Sequence, residues 1–217
     1  MGLIVKQKTF SKEKREILLY TQEFPQKEGT LIVGGFHGDE PDGCYFIGKY
    51  IEDFNNGLCD NVEKNIYFIP CLNPDGISKN TRKNANLVDL NRNFPTKNWA
   101  KTEITDDYYG GNSPSSEIET KFIIDVIEKY EPKKIITLHS PYGIVNYDGK
   151  QSEDFAKKIG KIIDYPVCSD IGYPTSGSFG TYYGLERNIA VITLEIAENV
   201  SRQKFYPKIK LIFDNLC

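Results

Sequence analysis

Residues 31–40 read LIVGGFHGDE. Three apolar residues, two of them β-branched, run into a pair of glycines, and a histidine follows. A short, continuous apolar run bounded by glycine marks a strand buried on both faces. Pro41, just after Asp39 and Glu40, opens a helix. The stretch is therefore a strand-to-helix turn, and it sets His37 and Glu40 where open α/β sheets hold their ligands.

The same pattern recurs along the chain. Strand-like runs lie at 16–20 (EILLY), 30–36 (TLIVGGF), 65–71 (NIYFIPC), 134–139 (KIITLH) and 189–196 (IAVITLEI). Helical patterns lie between and after them at 41–56, 115–130, 152–163 and 202–216, with Pro207 expected to interrupt the last. In 115–130 the apolar spacing Ile118, Phe122, Ile123, Val126 and Ile127 follows a capping-box arrangement, Ser116 to Glu119. Strands alternating with helices predict an α/β fold, a mixed twisted sheet with helices on both faces, in one domain over residues 1–217. Residues 72–115 are rich in Asn, Asp, Gly and Pro and show little periodicity. A loop region that long inside a compact domain is usually functional. The first 29 residues carry no usable motif.

Composition narrows the partners. The net charge of −3 on 217 residues comes without a long basic block, so no nucleic-acid surface is expected. The longest apolar runs, such as 189–194, are far too short to span a bilayer, so no membrane partner is expected either. Five cysteines (Cys44, Cys59, Cys71, Cys168, Cys217) are an odd number with no close CxxC pair. They support neither a disulfide framework nor a thiolate zinc site. The opening MGLIVKQKTFSKEKREILLY lacks the apolar core of a secretory signal. A reduced, cytoplasmic, soluble protein is the expectation.

The chain has two histidines. His37 and Glu40 are close enough to converge on one ion across a tight turn, and imidazole and carboxylate are both zinc ligands. Gly34, Gly35 and Gly38 allow the backbone angles and close approach that such a turn needs. Asp39 and Asp42 stand as alternative ligands or helix caps. His139 also ends an apolar strand, before the turn-like SPYG. Two histidines and one glutamate would leave a fourth position of a tetrahedral zinc open, the catalytic rather than the structural arrangement. Glu195 closes the run AVITL, so its carboxylate should be partly desolvated and a better proton acceptor. Glu198 is the rival acid.

Residues 84–95 read NANLVDLNRNFP. Together with GGFHGDE, NPDG (73–76), LHS (138–140) and TLE (193–195), they resemble the zinc carboxypeptidase family, in family order from about residue 30 to 197. RKNANLVDLNRNFPTKNW, SSEIET and GYPTSGSFGTYYG bring the chain nearest to a short bacterial branch of it. That branch cleaves the γ-D-glutamyl–diaminopimelate bond of cell-wall peptides. The resemblance implies one zinc ion on His37, Glu40 and His139, with Glu195 as general base. It implies that Arg82 polarises the scissile carbonyl and that Asn91 and Arg92 hold the substrate's terminal carboxylate. Tyr173 matches a mobile tyrosine that covers substrate, and Ser178, Phe179, Gly180 and Thr181 are expected to line the pocket for the released residue. A cis bond is expected at Ser140–Pro141. The chain is too short for the extra strands, loops and activation segment of the larger digestive members, which suits a small free peptide as substrate. The rivals are a carboxypeptidase for ordinary α-linked peptides, an N-acyl amino-acid deacylase, and a binding protein that keeps only the fold. No ligand or base is missing, as the last would require.

Overall fold

The computed structural model describes residues 2–22, 29–59, 65–173 and 175–216. Pro174 of the GYPTSGSFGTYYG motif and Cys217 lie outside the described residues. The described strands are β1 (Ile4–Phe10), β2 (Glu16–Gln22), β3 (Gly29–Gly34), β4 (Asn65–Ile69), β5 (Lys134–His139), β6 (Ile144–Asp148), β7 (Val167–Cys168) and β8 (Ala190–Glu195). They form one eight-stranded mixed sheet in the order β1-β2-β4-β3-β5-β8-β6-β7. Its centre, β4-β3-β5-β8, is parallel, and β2 and β6 join it antiparallel.

Alternation along the central strands divides the core in two. Ile32, Phe68, Ile136, Leu138, Ile192 and Leu194 face α1 (Asp42–Asn55), α4 (Glu153–Ile163) and α5 (Arg202–Leu216). Leu31, Val33, Tyr67, Ile69, Ile135 and Val191 face α3 (Ile118–Tyr130). Both faces of the sheet are covered, which is why these strands read as unbroken apolar runs.

Several local expectations need correction. β1, β6 and β7 were invisible in the sequence pattern. The region 72–115 holds a short helix, α2 (Pro74–Lys79), capped by the Asn73 side chain accepting from the Gly76 N–H at 2.9 Å. The capping box does not form: α3 starts from Glu117 without a side-chain cap. Ser116 Oγ instead donates to Glu117 Oε1 at 2.6 Å and accepts from Asn93 Nδ2 at 2.9 Å. Pro207 does not interrupt the last helix, which runs through it. Both Pro207 and Gln203, whose carbonyl loses its helical donor, are exposed, so water can satisfy that carbonyl.

Glu119, at the start of α3, is buried with Oε1 lacking any hydrogen-bond partner. Burial pushes its carboxyl from the ordinary 4.5 up to about 7. The folded protein therefore keeps a proton that the unfolded chain has already released, and stability falls as pH rises from 4.5 to about 7. Glu119→Gln should remove this slope. At pH 8 its melting temperature should exceed the wild type's by about 2–4 °C or more, converging with it near pH 5. Thermal melts across that range check the sign.

Candidate active site

β3, β5 and β8 end side by side, and their carboxyl ends carry the site. His139 closes β5 and stands in register with Glu195, which closes β8. Neighbours in register point to the same face, so histidine and carboxylate share one side of the sheet. His37 follows β3 in the turn, where Gly35 adopts φ +65°. Gly38 presses against α2, where an added Cβ would fall 1.9 Å from the Gly76 carbonyl carbon. That turn brings Glu40 between the two imidazoles.

Glu40 Oε1 lies 2.7 Å from His37 Nδ1, and Oε2 lies 2.8 Å from His139 Nδ1. All three side chains are buried. One donor atom from each lies within 4.8 Å of the others. Two ring nitrogens and a carboxylate oxygen converging in one buried place fit a zinc ion by donor type and by number. Asp39 and Asp42 stay outside this group. Asp39 is exposed, and Asp42 accepts from Arg202 Nε at 2.6 Å.

Charges within the cluster are tightly coupled. Against a burial that would lower it, the Asp89 and Glu40 carboxylates hold the His37 imidazole up at about 9. Against a burial that would raise it, His37 and His139 hold the Glu40 carboxyl well below the usual range. Asp89 was not anticipated from the sequence. It is fully buried, 3.1 Å from His37 Nε2, and so fixes the ring that offers Nδ1 to Glu40. The available signal was an acid held between the apolar Val88 and Leu90.

Glu195 sits across from these groups. Its Oε2 is buried and makes no hydrogen bond to the described residues, and burial raises its carboxyl. The desolvation expected of it is present. Glu198 is exposed at the rim. The bond Ser140–Pro141, just after His139, is cis as anticipated.

A groove of about 670 Å³ opens over the cluster. Arg82 reaches it while bound to Asp89 through Nε and Nη2, both at 3.0 Å, and its Nη1 lies 3.6 Å from Glu40. Arg92 is only 6 % exposed, yet among the described residues its guanidinium makes one hydrogen bond, from Nη1 to the Asn91 carbonyl oxygen at 2.7 Å. Asn91 spends its side-chain oxygen on the Phe179 N–H at 2.9 Å. Tyr108, also unanticipated, lays its ring over both Arg82 and Arg92, at 5.4 and 5.0 Å, and lies 6.3 Å from Tyr173. Tyr173 is half-exposed on the groove's edge. Ser178 and Gly180 line the groove. Phe179 and Thr181 do not. The Phe179 ring packs among Phe36, Phe94 and Tyr183, and Thr181 turns its hydroxyl toward Ser178 Oγ at 2.9 Å.

Comparison with known proteins bears on this arrangement. The family model described as zinc carboxypeptidase matches residues 4–199. Murein peptide amidase A of Escherichia coli K12 is 30 % identical over 180 residues, covering 78 % of this chain and 71 % of that protein. The protein of the same name from Vibrio campbellii is 31 % identical over 191 residues, covering 83 % and 74 %. In three dimensions the chain matches the crystal structure of murein-tripeptide amidase MpaA from Escherichia coli O157 with a TM-score of 0.81 at 24 % identity. That match covers 100 % of this chain and 91 % of the other.

Proposed function

This chain belongs to the zinc carboxypeptidase family and is a hydrolytic enzyme, and from that premise we propose that it cleaves the γ-D-glutamyl–meso-diaminopimelate bond of murein tripeptide. The observation that carries the substrate is the similarity to murein peptide amidases over about four-fifths of the chain. The chemistry is supported by the His37–Glu40–His139 cluster with Glu195 beside it. A short peptide suits a groove of this size, and the free thiols of Cys44, Cys59, Cys71 and Cys168 suit a reducing cytoplasm, where such peptides would be recycled.

His37, Glu40 and His139 would hold one zinc ion, which when bound would supply Lewis acidity and lower the pKa of a water. Arg92, with the free amide nitrogen of Asn91, holds the substrate's terminal carboxylate and sets the scissile carbonyl over the cluster. Glu195 takes the proton from the attacking water, a task for which its desolvated, unpartnered Oε2 is suited. Arg82, kept rigid by Asp89, donates to the oxygen that gathers charge as the carbonyl becomes tetrahedral. Glu195 then returns the proton to the departing amine nitrogen. Tyr173 closes over the bound peptide from the edge, and the Tyr108 ring lies against both guanidinium groups.

Incubation of the purified enzyme with L-Ala-γ-D-Glu-meso-diaminopimelate should release free diaminopimelate. The α-L-glutamyl isomer should be cut at least about tenfold more slowly, the rate equivalent of 1.4 kcal/mol. Faster cleavage of the α-linked peptide would make the enzyme an ordinary metallocarboxypeptidase with the same site chemistry.

A further inference from the structure

Away from the residues that line the groove, two thiols are set against one another. Cys44 stands in the first turn of α1, and Cys71 follows the end of β4. Both are free and half-buried. Gly35, at φ +65° in the turn before His37, lies between them. A Cβ there would fall 2.6 Å from Cys44 Sγ and 3.3 Å from Cys71 Sγ. A glycine at this position leaves one small space to the two sulfurs. The Cys44 thiol is the foremost influence raising that of Cys71, ahead of burial, so the pair interacts directly. The other described cysteines lie elsewhere: Cys59 Sγ against the Tyr50 carbonyl oxygen, Cys168 Sγ against Asn146 Nδ2.

The segment that begins with Cys71 is already laced to the turn that carries His37. The Leu72 N–H donates to the Gly34 carbonyl oxygen at 3.0 Å and the Asn73 N–H to that of Gly35 at 2.8 Å. Asn73 Nδ2 donates to the Phe36 carbonyl oxygen at 3.2 Å. These bonds hold the β3 end of the turn. A bond from Cys71 to Cys44 would tie its α1 end to the same segment, closing a ring around His37 and Glu40.

We propose that Cys44 and Cys71 form a reversible oxidation site, a dithiol that small disulfides convert into a bridge clasping the turn of His37 and Glu40. The co-reactant class is a low-molecular-weight disulfide such as oxidised glutathione. The Cys44 thiolate attacks one of its sulfurs, the S–S bond breaks, and one small thiolate leaves and takes up a proton. Cys71 then gives up its proton and attacks Cys44 Sγ, expelling the second small thiol. Two protein thiols lose two electrons in all, and one disulfide is reduced to two thiols. Cys44 attacks first because its own thiol and burial keep Cys71 protonated. Once Cys44 is capped, the foremost of those influences is gone. None of His37, Glu40 and His139 is a thiol, so the bridge leaves that donor set intact. The bridge does not depend on the substrate proposed above.

The test is incubation of the folded, zinc-loaded enzyme with excess oxidised glutathione, then alkylation of the remaining thiols and peptide mapping by mass spectrometry. A Cys44–Cys71 cross-link should form and be undone by dithiothreitol, while Cys59 and Cys168 are alkylated. Cys71→Ser should stop at a glutathione adduct on Cys44. The bridged wild type should melt about 5–10 °C higher, the usual yield of a disulfide in a chain of this size. It should also release zinc to a chelator several-fold more slowly, and Cys71→Ser should show neither change. The wild-type map stands by itself if the variant does not fold. The proposal is overturned by wild-type adducts that stay unbridged, by a cross-link to Cys59 or Cys168, or by a bridge that leaves melting or zinc release where it was. If the enzyme holds no zinc, the ligand set fails on its own, and the cross-link and the melting shift still decide the clasp.

Discussion

Alanine at His37 or His139 is expected to leave a protein that no longer retains zinc through dialysis, whereas wild type should carry about one ion per chain. Each change removes one of three converging donors, and the chain has no third histidine to replace it. Loss of an outer partner of a zinc ligand already costs about 10–100-fold in affinity, so loss of a ligand itself should cost more. Glu195→Gln should behave in the opposite way. Its Oε2 makes no hydrogen bond to the described residues, and glutamine fills the same volume, so zinc content should stay whole. Turnover should drop on the order of 10²–10⁴-fold, the usual contribution of a general base. Metal analysis and turnover of the three variants separate the two roles. Full zinc in either histidine variant would overturn the ligand set, and lost zinc in the glutamine variant would move Glu195 into it.

Sequence made His37, His139 and Glu195 legible for one physical reason. His139 and Glu195 end strands whose two faces are both covered, and His37 stands in the turn just after a third, so each is a polar group where an apolar run stops. Where that condition fails, the pattern is silent. β1 is an edge strand with Ile4, Val5 and Phe10 exposed, and its mixed residues gave no period. β6 carries Asn146 and Asp148 into the groove, so its interruption by polar residues hid the strand. With the strand unread, Asp148 escaped notice, although it ends its strand as Glu195 does. Asp89 was hidden by sequence distance, since its partner His37 lies 52 positions away. The expected roles of Phe179 and Thr181 came from resemblance, and there the local backbone decides. The Phe179 ring, just before the π-helical turn of residues 181–185, packs inward against Phe36, Phe94 and Tyr183, so that of these four residues Ser178 and Gly180 line the groove.

The second large effect concerns Arg92. Its guanidinium is buried and sandwiched near the Tyr108 ring, bonded to the Asn91 carbonyl and to no carboxylate among the described residues. A free terminal carboxylate on the substrate would complete it. Amidating that carboxylate removes the partner of a buried charge, at a cost on the order of 3–5 kcal/mol. In kcat/KM this is roughly a hundred- to several-thousandfold. Arg92→Ala should show a loss of the same size on the free acid. The two losses report one interaction, so they should overlap: the variant should lose little more when its substrate is amidated. A structural role makes a different prediction. The Arg92 carbonyl oxygen accepts from Trp99 Nε1 at 3.1 Å, and the loop around it is tied to Phe179 through Asn91. Those bonds use the backbone and a neighbour, so alanine at 92 leaves them in place. If Arg92 served only to hold this loop, its removal would displace Asn91 and the Phe179 segment for every substrate alike. The penalties of mutation and amidation would then add in full. Four kinetic constants, from two enzymes and two substrates, therefore separate a carboxylate clamp from a loop tie.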